Sequence, residues 1–273
     1  MFLVRDKTLG KYWAAKIMEE RIGKRGEPSD IWGMEIHILK QLYGAGLPRI
    51  VEVIKEPGRQ YLIMDYVEGQ TLRQYLDAYG PVLTVSAAQW LLELCQILSY
   101  LHQLIPPVIF CDLKPENVIL GTDGSLTLVD FGAAWQEDGA SWREQKKTGG
   151  CLLAADRLAV TGRSGADHAF CRRGTYAYGA PELLQPDGYL DQQTDIYSLG
   201  ALGYFLVTGL EEYRPGKLQI LGRTLEERRF YKILERCLCR EKAQRWKDCA
   251  ELGEQFLKFL KRNKGKRKQI PNI

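Results

Sequence analysis

Val108-Ile109-Phe110-Cys111-Asp112-Leu113-Lys114-Pro115-Glu116-Asn117-Val118-Ile119-Leu120, with Asp130-Phe131-Gly132 a short way on, decides how this chain reads. Apolar runs predict short strands, and between them two carboxylates and an amide fall on two loops. That grouping implies phosphoryl transfer from a metal-bound nucleotide to a hydroxyl. One acid must orient the hydroxyl and take its proton, while hard oxygen ligands hold Mg²⁺ against the phosphates. Asp112 suits the first role, Asn117 and Asp130 the second. Between the loops, Asp123-Gly124 is a strong turn signal, so Val118-Ile119-Leu120 and residues 125–129 are predicted to pair as a hairpin presenting both loops from one base.

The stretch resembles the catalytic and metal-binding loops of the protein kinase family, whose signature set pairs a catalytic-loop Asp and Asn with a following Asp-Phe-Gly. Asp112, Lys114 and Asn117 keep the family's spacing. Lys114, two residues after the Asp, resembles the serine/threonine class, in which that lysine steadies the transferring phosphate. Phe110 and Cys111 stand where the family usually has His-Arg. The histidine's role is largely packing, which an aromatic can serve. The arginine ordinarily receives the phosphate of a phosphorylated activation loop, so Cys111 removes that receptor.

The resemblance runs through the chain in order. Tyr12-Trp13-Ala14-Ala15-Lys16-Ile17 is similar to the strand carrying the phosphate-binding lysine, and Glu35 to its ion-pair partner on the next helix. Gly174-Thr175-Tyr176-Ala177-Tyr178-Gly179-Ala180-Pro181-Glu182 resembles the end of the activation segment, and Asp195-Ile196-Tyr197-Ser198-Leu199-Gly200 the start of the buried helix below the catalytic loop. The resemblance implies ATP and Mg²⁺ as cofactors and a protein bearing Ser or Thr as substrate. It implies a nucleotide pocket with Ala14, Met64 and Ile119, with the backbone of Asp65 and Val67 pairing to adenine. It gives Thr175 a hydroxyl contact to Asp112 and Lys114, Asp195 a role as acceptor for catalytic-loop amides, and Glu182 a buried partner in Arg245. Met64 would equally serve as core filling, and His102 reads as a packed helix residue.

One family feature does not fit within the sequence. Counting back from Lys16 places Met1 at the valine that ends the Gly-rich loop motif, so its three glycines would precede residue 1. Those glycines let the backbone close over phosphates without side chains intervening. The expectation is a serine/threonine kinase of bacterial type whose natural chain is longer; the alternative is a weak or inactive kinase-like scaffold that binds nucleotide.

With 273 residues and near-average apolar and charged fractions, the chain can bury a sizeable core. The expected fold class is α+β, two-lobed and protein-kinase-like: a small β-rich lobe over 1–66, truncated at its start, then a larger mainly helical lobe over 67–260. The latter includes a long activation segment over 130–182, and a basic tail follows over 261–273. Alternation at 1–4 and 12–17 predicts two strands, and 51–54 with 61–64 a second pair around Pro57-Gly58. Helical spacing marks 32–42, and 86–103 as the clearest long amphipathic helix.

Seven scattered cysteines and an early mix of charges suit a reducing, cytoplasmic setting without an export signal. Cys237, Cys239 and Cys249 have no nearby histidine to complete a zinc set and read as buried helix residues. The uncharged run 196–210 is too short to cross a bilayer and is predicted as a core helix. The net charge of +4 is modest. It predicts no specific nucleic-acid partner and leaves the basic tail as the one feature that could meet a membrane. Ser141, Thr148, Thr161 and Ser164 are candidate phosphorylation sites in a Gly-, Ser-, Lys- and Arg-rich loop.

Overall fold

The computed structural model describes residues 1–19, 33–136, 177–185, 188–213, 218 and 222–263. The chain opens with an antiparallel sheet in the order β1-β2-β4-β3, with β1 Phe2–Arg5, β2 Tyr12–Glu19, β3 Ile50–Glu56 and β4 Arg59–Asp65. The turn between β1 and β2 is closed by Asp6, whose carboxylate accepts the amides of Thr8 and Leu9. Pro57-Gly58 turns β3 into β4, with Gly58 at φ 77°, a conformation glycine adopts without penalty. Helix α1 (Gly33–Gln41) buries Glu35, Ile38 and Leu39. Ile38 and Leu39 join Met18, Leu62 and Met64 in the core, while Glu35 faces β2.

Past Asp65 the chain becomes mostly helical. Strand β5 (Gly69–Thr71) leads into α2 (Leu72–Tyr79), which opens with a capping box: the Thr71 hydroxyl accepts from Gln74 N–H, and the Gln74 side chain accepts from Thr71 N–H. Helix α3 (Thr84–Gln103) is the long helix the sequence predicts, two residues longer at its start. It buries Ala87, Leu91, Leu94, Leu98 and Leu101 at steps of three and four. Two more helices open with the same cap logic: α4 (Gln192–Thr208) through Asp191 and Thr194, and α5 (Leu225–Cys237) through Thr224 and Glu227. The last helix, α6 (Cys249–Arg262), is capped by Asp248 and packs along α3.

Helix α4 is buried along almost its whole length, as its uncharged sequence predicts. It comes so close to α5 that a Cβ at Gly200 would lie 2.5 Å from Cys237 Cβ, and one at Gly203 2.7 Å from Leu234 Cδ2. Small residues there let two backbones share one packed layer. Cys95, Cys237 and Cys249 are buried, whereas Cys239 lies past the end of α5 and is half-buried, and burial pushes the three buried thiols above their ordinary pKa. Among the described residues no helix is long and apolar enough to cross a membrane.

Between α3 and α4 lie the short strands that carry the predicted loops. Strand β6 (Val108–Ile109) pairs with β9 (Trp135–Gln136), and β5, β7 (Val118–Gly121) and β8 (Leu126–Leu128) form a three-stranded sheet. The β7–β8 hairpin is shorter on its second arm than the sequence pattern suggests. Ser125 belongs to the turn instead, because its amide and hydroxyl both bind the Asp123 carboxylate, at 2.9 and 2.7 Å. The architecture is α+β: a small antiparallel sheet with one helix, followed by a larger helical portion.

Candidate active site

The backbone just ahead of Asp112 is held by one buried carboxylate. Asp195, in the first turn of α4 and fully buried, accepts the Phe110 amide on Oδ2 and the Cys111 amide on Oδ1, both at 2.9 Å. His102 Nε2 lies 2.8 Å from the same Oδ2. The carboxylate is the fixed acceptor, so Nε2 carries the hydrogen and donates. His102 is thus packed, as its helix position suggests, and also bonded to the group that anchors the loop. The Phe110 ring meets Phe131 edge-on at 5.1 Å, tying the first loop to the second through packing.

Asp112 Oδ2 accepts from Lys114 Nζ at 2.7 Å and from Asn117 Nδ2 at 2.9 Å, and Asn117 Nδ2 also reaches the Asp112 carbonyl at 2.9 Å. Asp112 Oδ1 is buried and has no hydrogen-bond partner among the described residues. A buried carboxylate oxygen left open in this way costs free energy unless something supplies a donor. With its NH₂ committed to Asp112, Asn117 keeps its carbonyl oxygen for another partner. The Val129 amide donates to the main-chain carbonyl of Asn117 at 2.8 Å, which brings the residue before Asp130 against Asn117.

Asp130 sits at φ 66°, in the left-handed region, with its side chain accepting the Gly132 amide at 3.3 Å. Lys16 Nζ lies 2.6 Å from Glu35 Oε1 and 2.6 Å from Asp130 Oδ1. One strand, one helix and one loop therefore converge on a single ammonium. Gly132 closes the arrangement so tightly that an added Cβ would stand 3.2 Å from both Lys16 Nζ and Asp130 Oδ1.

The electrostatics follow from the shared cation. Burial works against the charge of Lys16, but Glu35 and Asp130 outweigh it, and its pKa lies above the ordinary lysine value. Asp130 is also pushed up by burial, yet Lys16 more than reverses this and holds it below the ordinary range. Glu35 goes the other way, because its burial exceeds what Lys16 returns. The nearby negative charge of Asp130 adds to the rise, and Glu35 Oε2 is buried without a hydrogen-bond partner among the described residues.

The remaining predicted positions fall around this centre. Ala14 on β2 lies opposite Met64 on β4 in the sheet register, and Met64 is buried. The Asp65 amide is committed to the Arg49 carbonyl at 3.0 Å and its carboxylate to Arg49 Nε at 2.8 Å; Val67 and Ile119 are half-buried. Thr175 lies outside the described residues, as do Ser141, Thr148, Thr161 and Ser164. Farther off, Glu182 and Arg245 form a buried two-pronged pair, Nη1 to Oε1 at 2.7 Å and Nη2 to Oε2 at 2.9 Å.

Among the described residues there is no group of three or more His, Cys, Asp or Glu able to hold a metal by itself. Mg²⁺ is bound through one or two side-chain oxygens plus phosphate oxygens in nucleotide sites, and the open oxygens of Asn117 and Asp130 fit that donor set.

The model of the protein kinase domain family matches residues 1–273, the whole chain. The chain belongs to the protein kinase family. Its curated relatives include serine/threonine-protein kinase cds1 of Schizosaccharomyces pombe, 30% identical over 215 residues, which cover 76% of this chain and 41% of that protein. They also include serine/threonine-protein kinase Sgk1-B of Xenopus laevis, 29% identical over 78% of this chain and 43% of the relative. Human serine/threonine-protein kinase Sgk2 is 28% identical over 78% of this chain and 51% of its own length. The match therefore spans about half or less of each of these relatives. Members of the kinase family generally use ATP and Mg²⁺.

Reading by motif left out two features of this kinase domain. Gln136 is buried, donating to the Pro106 carbonyl at 2.7 Å and bonded to Gln41 of α1. Arg73 on α2 gathers partners from three other segments. Neither residue lies in a motif, and an arginine in an amphipathic helix reads like any solvent-facing charge.

Proposed function

We propose that this chain is a serine/threonine protein kinase that moves the γ-phosphate of ATP to a protein hydroxyl, with Asp112 as the catalytic base. The observation that carries this reading is the state of the Asp112 carboxylate. Lys114 and Asn117 fix Oδ2, while Oδ1 is buried and has no hydrogen-bond partner among the described residues. Such an oxygen is suited to accept the proton of a substrate hydroxyl as the hydroxyl oxygen bonds to the γ-phosphorus and the bond to ADP breaks. Lys114, already at Asp112, is placed to steady the transferring phosphate.

Lys16 supplies the positive charge for the nucleotide phosphates, and Glu35 keeps its ammonium in place. Asn117 and Asp130 would hold Mg²⁺, which when bound neutralises charge on the phosphate oxygens. Ala14, Met64 and Ile119 form the apolar wall for adenine, with the Asp65 carbonyl and Val67 backbone as its polar partners. Serine/threonine rather than tyrosine specificity rests on Lys114 and on the relatives' serine/threonine kinases.

The test is transfer of labelled γ-phosphate from ATP with Mg²⁺ to a generic Ser/Thr protein substrate, comparing the parent with Asp112→Asn. A positioned base contributes about 10²- to 10⁴-fold, so the variant should lose at least about a hundredfold in turnover while keeping its ATP affinity. Equal rates would remove Asp112 from the mechanism. Tight ATP binding with no transfer by the parent would make the chain a nucleotide-binding scaffold.

A further inference from the structure

Arg73, on the first turn of α2, is only 21% exposed, yet it carries a charge close to the candidate active site. Its Nε donates to Glu116 Oε1 at 2.7 Å, and Glu116 stands on the short turn Pro115–Asn117, between Lys114 and Asn117. Its Nη2 is 2.8 Å from Glu211 Oε1, just past the end of α4, and 3.2 Å from the Tyr178 hydroxyl, which lies just before Ala180-Pro181-Glu182. The guanidinium also rests 4.4 Å over the Phe205 ring. Burial opposes the Arg73 charge, and its hydrogen bond to Glu116 with the nearby acids outweighs that and holds its pKa up.

The two carboxylates are the exposed members of this cluster: Glu116 is 44% and Glu211 57% accessible. Glu116 is exposed and lies four residues after Asp112 on the same loop. Two exposed acids beside a reacting centre would ordinarily attract a basic side chain. Here an arginine of the chain itself already lies between them, paired with Glu116 through Nε and with Glu211 through Nη2.

We propose that Arg73 determines substrate specificity by occupying Glu116 and Glu211, so that the kinase gains nothing from an arginine beside the accepting hydroxyl. This rests on the reading of Asp112 as the phosphotransfer site. Removing Arg73 then uncovers both acids and creates a preference the parent lacks. Phe205, Tyr178 and the helix end remain to shape the vacated place.

The experiment uses peptide pairs identical except for arginine or its neutral isostere citrulline at each position flanking a serine. Both kcat/KM and peptide binding by fluorescence anisotropy are measured. The parent should show an arginine-to-citrulline ratio near one. Arg73→Ala should raise it at one or two positions by roughly three- to thirtyfold, the range that two partly exposed carboxylate–guanidinium pairs supply together. Adding Glu116→Gln and Glu211→Gln should return it to near one.

An unchanged ratio in a folded Arg73→Ala protein overturns the proposal. Should that variant not fold, Glu116→Gln with Glu211→Gln in the parent decides: no change in the ratio is expected, and a fall means that the acids were reading basic residues all along. If the parent transfers no phosphate, the binding ratios still decide the role of Arg73, while the loss counts against Asp112.

Discussion

Replacing Arg245 with methionine isolates the energetics of the buried Glu182–Arg245 pair. All five N–H donors of Arg245 are used: two on Glu182, and one each on the carbonyls of Cys239, Gln193 and Arg240. The guanidinium also lies 5.0 Å from the Tyr197 ring centre. Methionine fills most of the volume but leaves a buried carboxylate without its partner, a change that costs about 3–5 kcal/mol. Lys242 Nζ, 3.8 Å from Glu182 Oε1, remains as a partial substitute and favours the lower end. Against a total stability of about 5–15 kcal/mol, the expected loss of about 3 kcal/mol lowers the melting temperature by roughly 6–12 °C.

The pH dependence separates an unpaired charge from lost packing. In the parent, burial pushes Glu182 up, but the Arg245 hydrogen bonds outweigh it and hold the carboxyl below its ordinary value. Its contribution is therefore present above the unfolded pKa of about 4.3 and is lost as pH falls through the lower folded value. In Arg245→Met the folded pKa rises instead, so protonation relieves the strain, and the deficit against the parent shrinks between about pH 7 and pH 4. The assay is urea unfolding of both proteins across that range, with Glu182→Gln/Arg245→Met as the neutral reference, expected to lose less than the single variant. A deficit that stays constant with pH, or a double variant worse than the single one, would refute the reasoning.

Lys16→Met should weaken binding of ATP with Mg²⁺ by roughly ten- to a hundredfold, the value of a charge-assisted contact. It should also lower the melting temperature, because Glu35 and Asp130 both lose their cation; calorimetry showing parental affinity would contradict the site. Replacing Ser141, Thr148, Thr161 and Ser164 together with alanine should leave phosphorylation of a separate substrate within about twofold, since Cys111 stands where the family keeps the arginine that binds a loop phosphate. A large loss of turnover, rescued by an acidic residue at one of those positions, is the contrary result.

The α+β architecture was legible because each element announces itself locally. The α3 periodicity, the Asp123-Gly124 turn and the uncharged run of α4 each depend on a few adjacent residues. Pairings across the chain were harder to read. Lys16 with Asp130 joins positions 114 residues apart, and only a known order of motifs relates them. Arg73 and Gln136 stayed hidden because their partners lie on five different segments and neither type is unusual where it occurs. The hairpin end was misjudged at Ser125 for a local reason: its side chain competes with the strand by bonding Asp123.

Why Phe110 and Cys111 can replace the family's usual pair without disturbing Asp112 follows from what fixes the backbone there. Cys111 has φ 63°, and the Asp112 amide bonds back to the Phe110 carbonyl at 2.9 Å, closing a tight three-residue turn. A non-glycine residue in that region carries about 1–3 kcal/mol of strain and persists only when its surroundings dictate it. Asp195 provides the dictation, since it accepts the Phe110 and Cys111 amides with both oxygens, and hydrogen bonds to a charged group contribute about 1.5–3 kcal/mol each. The turn is held through main-chain atoms, which every residue type shares. The side chain at 110 fills the space against Phe131, and the buried Cys111 thiol donates to the Ile109 carbonyl at 3.6 Å. Sequence identity at these two positions therefore matters less to the position of Asp112 than Asp195, which lies 83 residues farther along the chain.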